Sequence, residues 1–163
     1  MQTFFTSKNL QQSAYSLWEG GRKSNRLNNQ INEALIILRT LSGWYLKEGR
    51  KGWPNHSCTK AWVGYEIYLI EYLYYHIREY ERLSGNDCTK RIADVQECCE
   101  LQKFGEYKVP HWLTNEFVGK HRSLLLGKAQ GDTNLEKWYK SFNWSEQPAQ
   151  PLENGKWPDL WKF

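Results

Sequence analysis

Three polar side chains stand at helical spacing within an otherwise apolar stretch of the sequence. Arg26, Gln30 and Glu33 are separated by four and three residues, so a helix would present them on one face. The packed face of that helix would be formed by Leu27, Ile31, Ala34, Leu35, Leu38 and Leu41. A half-buried carboxylate at the border of the two faces can take a proton or stabilise a neighbouring positive charge. The alternative is a solvated glutamate that pairs with a neighbour.

Aromatic side chains are frequent in this chain, and several lie downstream of the stripe. Nine Trp, ten Tyr and six Phe make up 15% of the 163 residues, more than a small core requires. Two short blocks contain several of them, Trp53-Pro54-Asn55-His56 and Trp62-Val63-Gly64-Tyr65-Glu66. Exposed aromatic faces are typical of partner interfaces and stacking platforms. The alternative is a core that uses Trp and Tyr where other proteins use Leu.

The elements that must position these residues are predicted to be helices. Apolar periodicity, caps and glycine stops predict an all-α chain of about five to six helices in one domain over residues 1–163. We expect Ser7 to cap the first helix, Ser24 to cap the striped helix and Pro54 to begin a long one. The predicted helices cover about 7–18, 24–42, 54–84, 86–102, 114 onward and 132–142, with a loop over 44–53 and an irregular Trp- and Pro-rich tail over 143–163.

Composition narrows the functional classes. A formal charge of +4, from 22 Lys and Arg against 18 Asp and Glu, permits a phosphate-bearing partner without requiring one. The cysteines include no CxxC pair and no histidine at zinc-finger spacing, so neither a metal site nor a disulfide framework is indicated; they are Cys58, Cys88, Cys98 and Cys99. No apolar run reaches the roughly 20 residues of a membrane span, and residues 1–10 do not read as a signal peptide. We therefore expect a cytoplasmic protein with no membrane partner.

Six short blocks occur along the chain in a fixed order. They are Met1-Gln2-Thr3-Phe4, Asn25-Arg26-Leu27 with Gln30 and Glu33, Trp53-Pro54-Asn55-His56, Trp62-Val63-Gly64-Tyr65-Glu66, Pro110-His111-Trp112-Leu113, and His121-Arg122-Ser123 with Leu125-Leu126. This set resembles a bacterial and phage family related to the pyrimidine-dimer DNA glycosylases, over most of residues 1–142. The similarity to endonuclease V, a small all-helical glycosylase with abasic-site lyase activity, is fainter.

The resemblance implies a DNA glycosylase that excises a damaged or modified pyrimidine from double-stranded DNA. In such enzymes an N-terminal amine attacks the sugar C1′, expels the base and leaves a Schiff base that breaks the strand by β-elimination. By this likeness Met1 supplies the amine and Glu33 steers the sugar and proton chemistry. Gln2 departs from the pattern of such enzymes. Because a large second residue prevents removal of the initiator methionine, we expect Met1 to remain. Hydrolysis by a water that Glu33 positions is the alternative to lyase chemistry.

The same likeness implies binding roles. Stacking on an extruded base is predicted for Trp53, Trp62 and Tyr65, and hydrogen bonding to its edge for Gln30, Asn32 and His56. Phosphate contacts are predicted for Arg26, His121, Arg122 and Lys128, with a solvated basic face as the alternative. We expect a monomer with no metal and no organic cofactor. Two other functions stay open: an enzyme of a phage or its host that alters a modified pyrimidine, and a nucleic-acid-binding module without catalysis.

Overall fold

Helices are the only regular structure in the ranges 2–21 and 25–161, which a computed structural model of the protein describes. The all-α prediction is confirmed. The predicted number of helices is too low, because these ranges contain eight α-helices and a short 3-10 helix at Glu19–Gly21. The α-helices are α1 Leu10–Ser16, α2 Arg26–Leu41, α3 Trp44–Lys47, α4 Ser57–Trp62, α5 Glu66–Ser84, α6 Thr89–Leu101, α7 Asn115–Ala129 and α8 Thr133–Lys140.

The two additional helices have local causes. The long helix predicted over 54–84 is divided into α4 and α5 by Gly64, whose φ of 82° is left-handed and ends a helical run. The Glu66 carboxylate accepts a hydrogen bond from the Gly64 backbone N–H at 2.8 Å and stabilises the turn. The loop predicted over 44–53 begins with the single helical turn of α3. The apolar pattern continues across both breaks, so periodicity alone does not reveal them.

Helix caps agree with the predicted boundaries only in part. The Asn25 side chain caps α2 by accepting from the Asn28 N–H at 2.9 Å, whereas the predicted cap, Ser24, lies outside the described residues. Asn9, and not Ser7, caps α1 through the Gln12 N–H at 3.0 Å. These corrections move helix starts by one or two residues and do not change which faces are buried.

The core is built around α5, which packs against α1 and α2. Residues 3–6 lie outside the helices, are buried beneath the surrounding structure, and form no backbone ladder. Side chains therefore satisfy their backbone groups. The Phe4 N–H donates to Gln30 Oε1 at 2.6 Å, and the Phe5 N–H donates to His121 Nδ1 at 2.9 Å. This N-terminal segment is thus held in one position between α2 and α7.

The C-terminal tail, residues 143–161, follows the surface of α7 without regular structure of its own. The Ala149 N–H donates to the Ser123 backbone oxygen at 2.9 Å, and the Ser123 hydroxyl donates to the Gln147 oxygen at 2.6 Å. Trp161 is 1% exposed and lies edge-on to Trp112, with ring centroids 4.9 Å apart. The tail is therefore anchored both along α7 and in the aromatic core.

A search of the described residues for a helix long and apolar enough to cross a bilayer found none.

Candidate active site

A cavity of about 290 Å³ lies where the N-terminal segment, α2, α4, α7 and the C-terminal tail meet. We call it the Glu33 cavity; its lining residues are Gln2, Phe4, Arg26, Asn29, Gln30, Glu33, His56, Lys128 and Asp159. One face of α2 supplies four of them, because residues 26, 29, 30 and 33 repeat at three- and four-residue intervals. The polar stripe of the sequence therefore lines this cavity.

Glu33 is bound directly to the N-terminal segment. The Gln2 backbone N–H donates to Glu33 Oε2 at 2.5 Å, and Gln30, one turn earlier on α2, binds the Phe4 N–H. The Tyr72 hydroxyl also donates to Gln30 Oε1, at 3.3 Å, so this buried amide is fixed on two sides. Two adjacent turns of α2 thus orient the first described backbone nitrogen of the chain toward a carboxylate. Met1 lies outside the described residues.

Two cationic side chains line the cavity beside Glu33. Arg26 Nε lies 2.8 Å from the carboxylate of the buried Glu19, which also accepts a hydrogen bond from the Tyr139 hydroxyl. Lys128 Nζ lies 5.6 Å from the centroid of the Phe4 ring and 5.8 Å from that of Trp157. Burial lowers the pKa of Lys128, and the nearby charge of Arg26 lowers it further, whereas Glu33 acts in the opposite direction.

His56 both caps a helix and lines the cavity. Its Nδ1 accepts the Cys58 N–H at 3.2 Å at the start of α4, so the ring carries its proton on Nε2, which is left as a donor for a ligand. The neighbouring Cys58 thiol is no nucleophile, because burial raises its pKa to about 12. Capping of α4 and contact with a ligand are therefore compatible roles for His56.

The residues predicted to stack on a base do not line this cavity. Trp62 is fully buried, its Nε1 donates to the Thr3 hydroxyl at 3.2 Å, and this position in the core contradicts a stacking role. The Tyr65 hydroxyl lies 2.7 Å from His111 Nδ1 on another part of the surface. Trp53 is 60% exposed, and Asn32 is also exposed, but neither is among the lining residues. The aromatic side chains at the cavity are Phe4 and, across Lys128, Trp157.

Two predicted phosphate contacts have structural roles instead. His121 is 1% exposed, accepts the Phe5 N–H through Nδ1, and has its pKa lowered to about 3 by burial. Arg122 donates from Nε to the Thr6 backbone oxygen at 2.6 Å and forms an ion pair with Glu146 at 3.2 Å. Both side chains hold the N-terminal segment to α7, and neither presents an unpaired charge to DNA. Of the phosphate contacts predicted from the sequence, Arg26 and Lys128 are the two that line the cavity.

Asp159, Asn29 and Phe4 line the cavity without having been assigned a role from the sequence. Phe4 belongs to a block that carried the family resemblance, and Asn29 is a neighbour of the stripe, so the sequence contained a feature that could have indicated each of them as a site residue. No such feature marks Asp159, because it lies in an irregular tail 126 residues beyond Glu33 along the chain.

A larger cavity of about 760 Å³ lies beyond Thr6, at the other end of the N-terminal segment. Its cations are already neutralised: Arg82 pairs with Glu79 at 2.6 Å and Arg122 pairs with Glu146. Its described lining residues otherwise provide amides and aromatic edges, and their carboxylate, that of Glu79, is paired with Arg82. Across the described ranges no three His, Cys, Asp or Glu side chains are grouped as they would be around a metal ion.

Comparison with known proteins identifies a family. The model of the family described as pyrimidine dimer DNA glycosylase matches residues 1–92, more than half of the chain. The match includes the N-terminal segment, α2 and the cap of α4, which supply Gln2, Glu33 and His56 to the cavity. Neither a search of curated proteins nor a search of solved structures found a significant match. The family match shows that this chain belongs to the pyrimidine dimer DNA glycosylases, a family of DNA repair enzymes.

Proposed function

We propose that the protein excises a damaged or modified pyrimidine from double-stranded DNA and that Glu33 is its catalytic carboxylate. The observation that carries this proposal is the hydrogen bond from the Gln2 N–H to Glu33 within a polar cavity that also contains Lys128. A carboxylate beside cations and partly removed from water interacts strongly with charge that develops nearby. Departure of a base creates such a positive charge on the sugar, and Glu33 would stabilise it.

The remaining lining residues divide between the phosphates and the base. Lys128 would contact a phosphate beside the target nucleotide. Arg26 also lines the cavity, but its charge is paired with the buried Glu19 at 2.8 Å. His56 Nε2 and the Asn29 amide would bind the edge of the base, as glycosylases read an extruded base through hydrogen bonds. We propose that the protein acts on DNA as a monomer.

Abasic-site lyase activity is a second candidate, and the contact of Gln2 with Glu33 favours it. In the full chain the Gln2 nitrogen is an amide, whose lone pair is delocalised and cannot attack carbon. The attacking amine would be that of Met1, one residue upstream, or that of Gln2 in a chain without Met1. Attack at C1′ forms a C–N bond while the base leaves with its bonding electrons and takes a proton. The C1′–O4′ bond would then break, O4′ would take a proton, and C1′ would become a protonated Schiff base. Glu33 would remove a proton from C2′, and the C3′–O bond would break with its electrons leaving on the 3′ phosphate.

The test uses Glu33→Gln with Glu100→Gln, an exposed carboxylate on α6, as the matched control. We expect Glu33→Gln to lower base release from a thymine-dimer duplex by about 100-fold or more, because it removes transition-state stabilisation. Its affinity for that duplex should be unchanged or higher, since a negative charge near phosphate is lost. Glu100→Gln should match the wild type in both assays. Full turnover in Glu33→Gln would show that the carboxylate is assigned wrongly.

Borohydride reduction on abasic-site and ultraviolet-irradiated duplexes then separates the two activities. Intact mass followed by peptide mapping locates any adduct on the amine of Met1, on that of Gln2 or on Lys128 Nζ. A Met1 adduct that does not form in Glu33→Gln would support lyase chemistry with the methionine retained. Base release without any adduct would support hydrolysis instead. Binding of DNA with neither base release nor strand cleavage would contradict the proposed activity and favour a binding module.

A further inference from the structure

Asp159 brings a second carboxylate into the Glu33 cavity from the far end of the chain. Its Oδ1 accepts the Trp161 N–H at 3.1 Å, and its Oδ2 accepts the Ser57 hydroxyl at 3.4 Å. Ser57 is the first residue of α4 and follows His56 directly. Asp159 and His56 therefore line the same cavity, and the Asp159 carboxylate is bound to the residue that follows His56.

The tail that carries Asp159 is fixed on both sides of it. Two residues later, Trp161 is buried against Trp112 and Phe117, with centroid distances of 4.9 and 5.1 Å. Two residues earlier, Trp157 lies 5.8 Å from Lys128 Nζ. The family match ends at residue 92, so this wall of the cavity is supplied by a part of the chain that the match does not cover.

The two carboxylates of the cavity have different surroundings, which indicates different tasks. Glu33 binds the Gln2 N–H and acts on the pKa of Lys128, so it lies among the groups suited to the sugar and its phosphates. Asp159 is bound instead to Ser57, which follows His56, and the His56 Nε2 is a hydrogen-bond donor. A carboxylate acceptor and an N–H donor that line one cavity match the edge of a pyrimidine, where a ring N3–H or an exocyclic amine adjoins an acceptor.

We propose that Asp159 is a specificity-determining residue that accepts a hydrogen bond from the N3–H or the exocyclic amine of the target pyrimidine, while His56 donates to the adjacent acceptor. This inference rests on the proposed glycosylase function. Glu33 acts on the sugar, and Asp159 selects the base. A base that lacks a donor at this edge removes water from the carboxylate without giving it a hydrogen bond in return, which opposes binding of that base.

The experiment compares two duplexes, one with a thymine dimer and one with the same dimer methylated at N3 of its 5′ base. Binding is measured by fluorescence anisotropy and base release by chromatography, so that the two are independent. The proteins are the wild type, Asp159→Ala, Asp159→Asn, and Glu153→Gln as a control for charge at an exposed position of the tail. Asp159→Asn keeps an oxygen for the Trp161 N–H and serves if Asp159→Ala does not fold.

We expect the wild type and Glu153→Gln to prefer the unmethylated dimer by about tenfold or more in affinity, and both Asp159 variants to lose that preference. A residue that only anchors the tail would lower binding of both duplexes equally, and that result overturns the inference. A preference that persists in the Asp159 variants also overturns it. Preferential binding that depends on Asp159, without base release by the wild type, would support the inference and refute the proposed function.

Discussion

The close approach of the C-terminal tail to α7 at Gly127 allows a sharp test of how the cavity is assembled. A β-carbon at residue 127 would lie 2.2 Å from the Ala149 backbone oxygen and 2.9 Å from the Trp157 ring. Ordinary contact begins near 3.4 Å, so the backbone of the tail must move by about 1.2 Å in Gly127→Ala. That shift acts on the segment that places Trp157 and Asp159 at the cavity.

The energetic effect of Gly127→Ala is the difference between two terms. Overpacking costs about 1–3 kcal/mol, whereas replacing a helical glycine by alanine gains about 0.8–1 kcal/mol. We expect a net loss of about 1 kcal/mol in the free energy of unfolding, which lowers Tm by about 2–4 °C for a domain of this size. Gly119→Ala on the same helix is the control, because its β-carbon would meet only the flexible end of Glu146, at 3.3 Å.

Thermal unfolding and the N3-methyl comparison give the readouts. We expect Gly119→Ala to be at least as stable as the wild type and to keep the preference for the unmethylated dimer. Gly127→Ala should be less stable and should lose that preference, because the displaced tail moves Asp159 from its position in the cavity. Equal stability of the two variants, together with full base preference in both, would refute the argument that the tail is held against α7 at this point.

Two further predictions concern pH and salt. The pKa of both His76 and His121 is lowered from 6.5 to about 3 by burial, so the unfolded chain binds more protons than the folded protein between these values. The contribution of the two histidines to the free energy of unfolding should therefore be fully present above about pH 7 and should fall as the pH drops, by about 2 kcal/mol for each histidine at pH 5. A free energy of urea unfolding that is unchanged between pH 7 and pH 5 would contradict this prediction. Lys128→Ala should shallow the salt dependence of duplex binding by about one phosphate contact, a change of about 0.9 in the log–log slope, whereas Arg122→Ala should leave the slope unchanged because Glu146 already neutralises it. Equal changes in slope would place Arg122 at the DNA.

Local patterns in the sequence predicted the part of the site that lies on α2. Arg26, Gln30 and Glu33 fall on one face because helix geometry relates residues three and four apart, and nothing elsewhere in the chain alters that relation. The break at Gly64 was missed for the same reason, because apolar residues at helical spacing continue on both sides of it. Periodicity reports which face is buried and says little about where a helix is interrupted.

Whether the role predicted for a side chain was right depended on contacts with residues distant in the sequence. Trp62 and Trp53 are both tryptophans next to polar blocks, yet one is in the core and the other is 60% exposed. His121 reads as a basic surface residue beside Arg122, but its partner is the Phe5 N–H, 116 residues away. Composition and spacing do not distinguish these cases, because burial depends on which elements pack together.

The sequence by itself determined that the chain is helical, which face of α2 is polar, and, through its blocks, the family to which it belongs. Only the tertiary structure decided that Gln2 meets Glu33, that Arg122 is paired with Glu146, and that Asp159 reaches the cavity. Helical faces follow from contacts three or four residues apart, which the local sequence specifies. The other features depend on packing between segments up to 126 residues apart, and the local sequence carries no record of that packing.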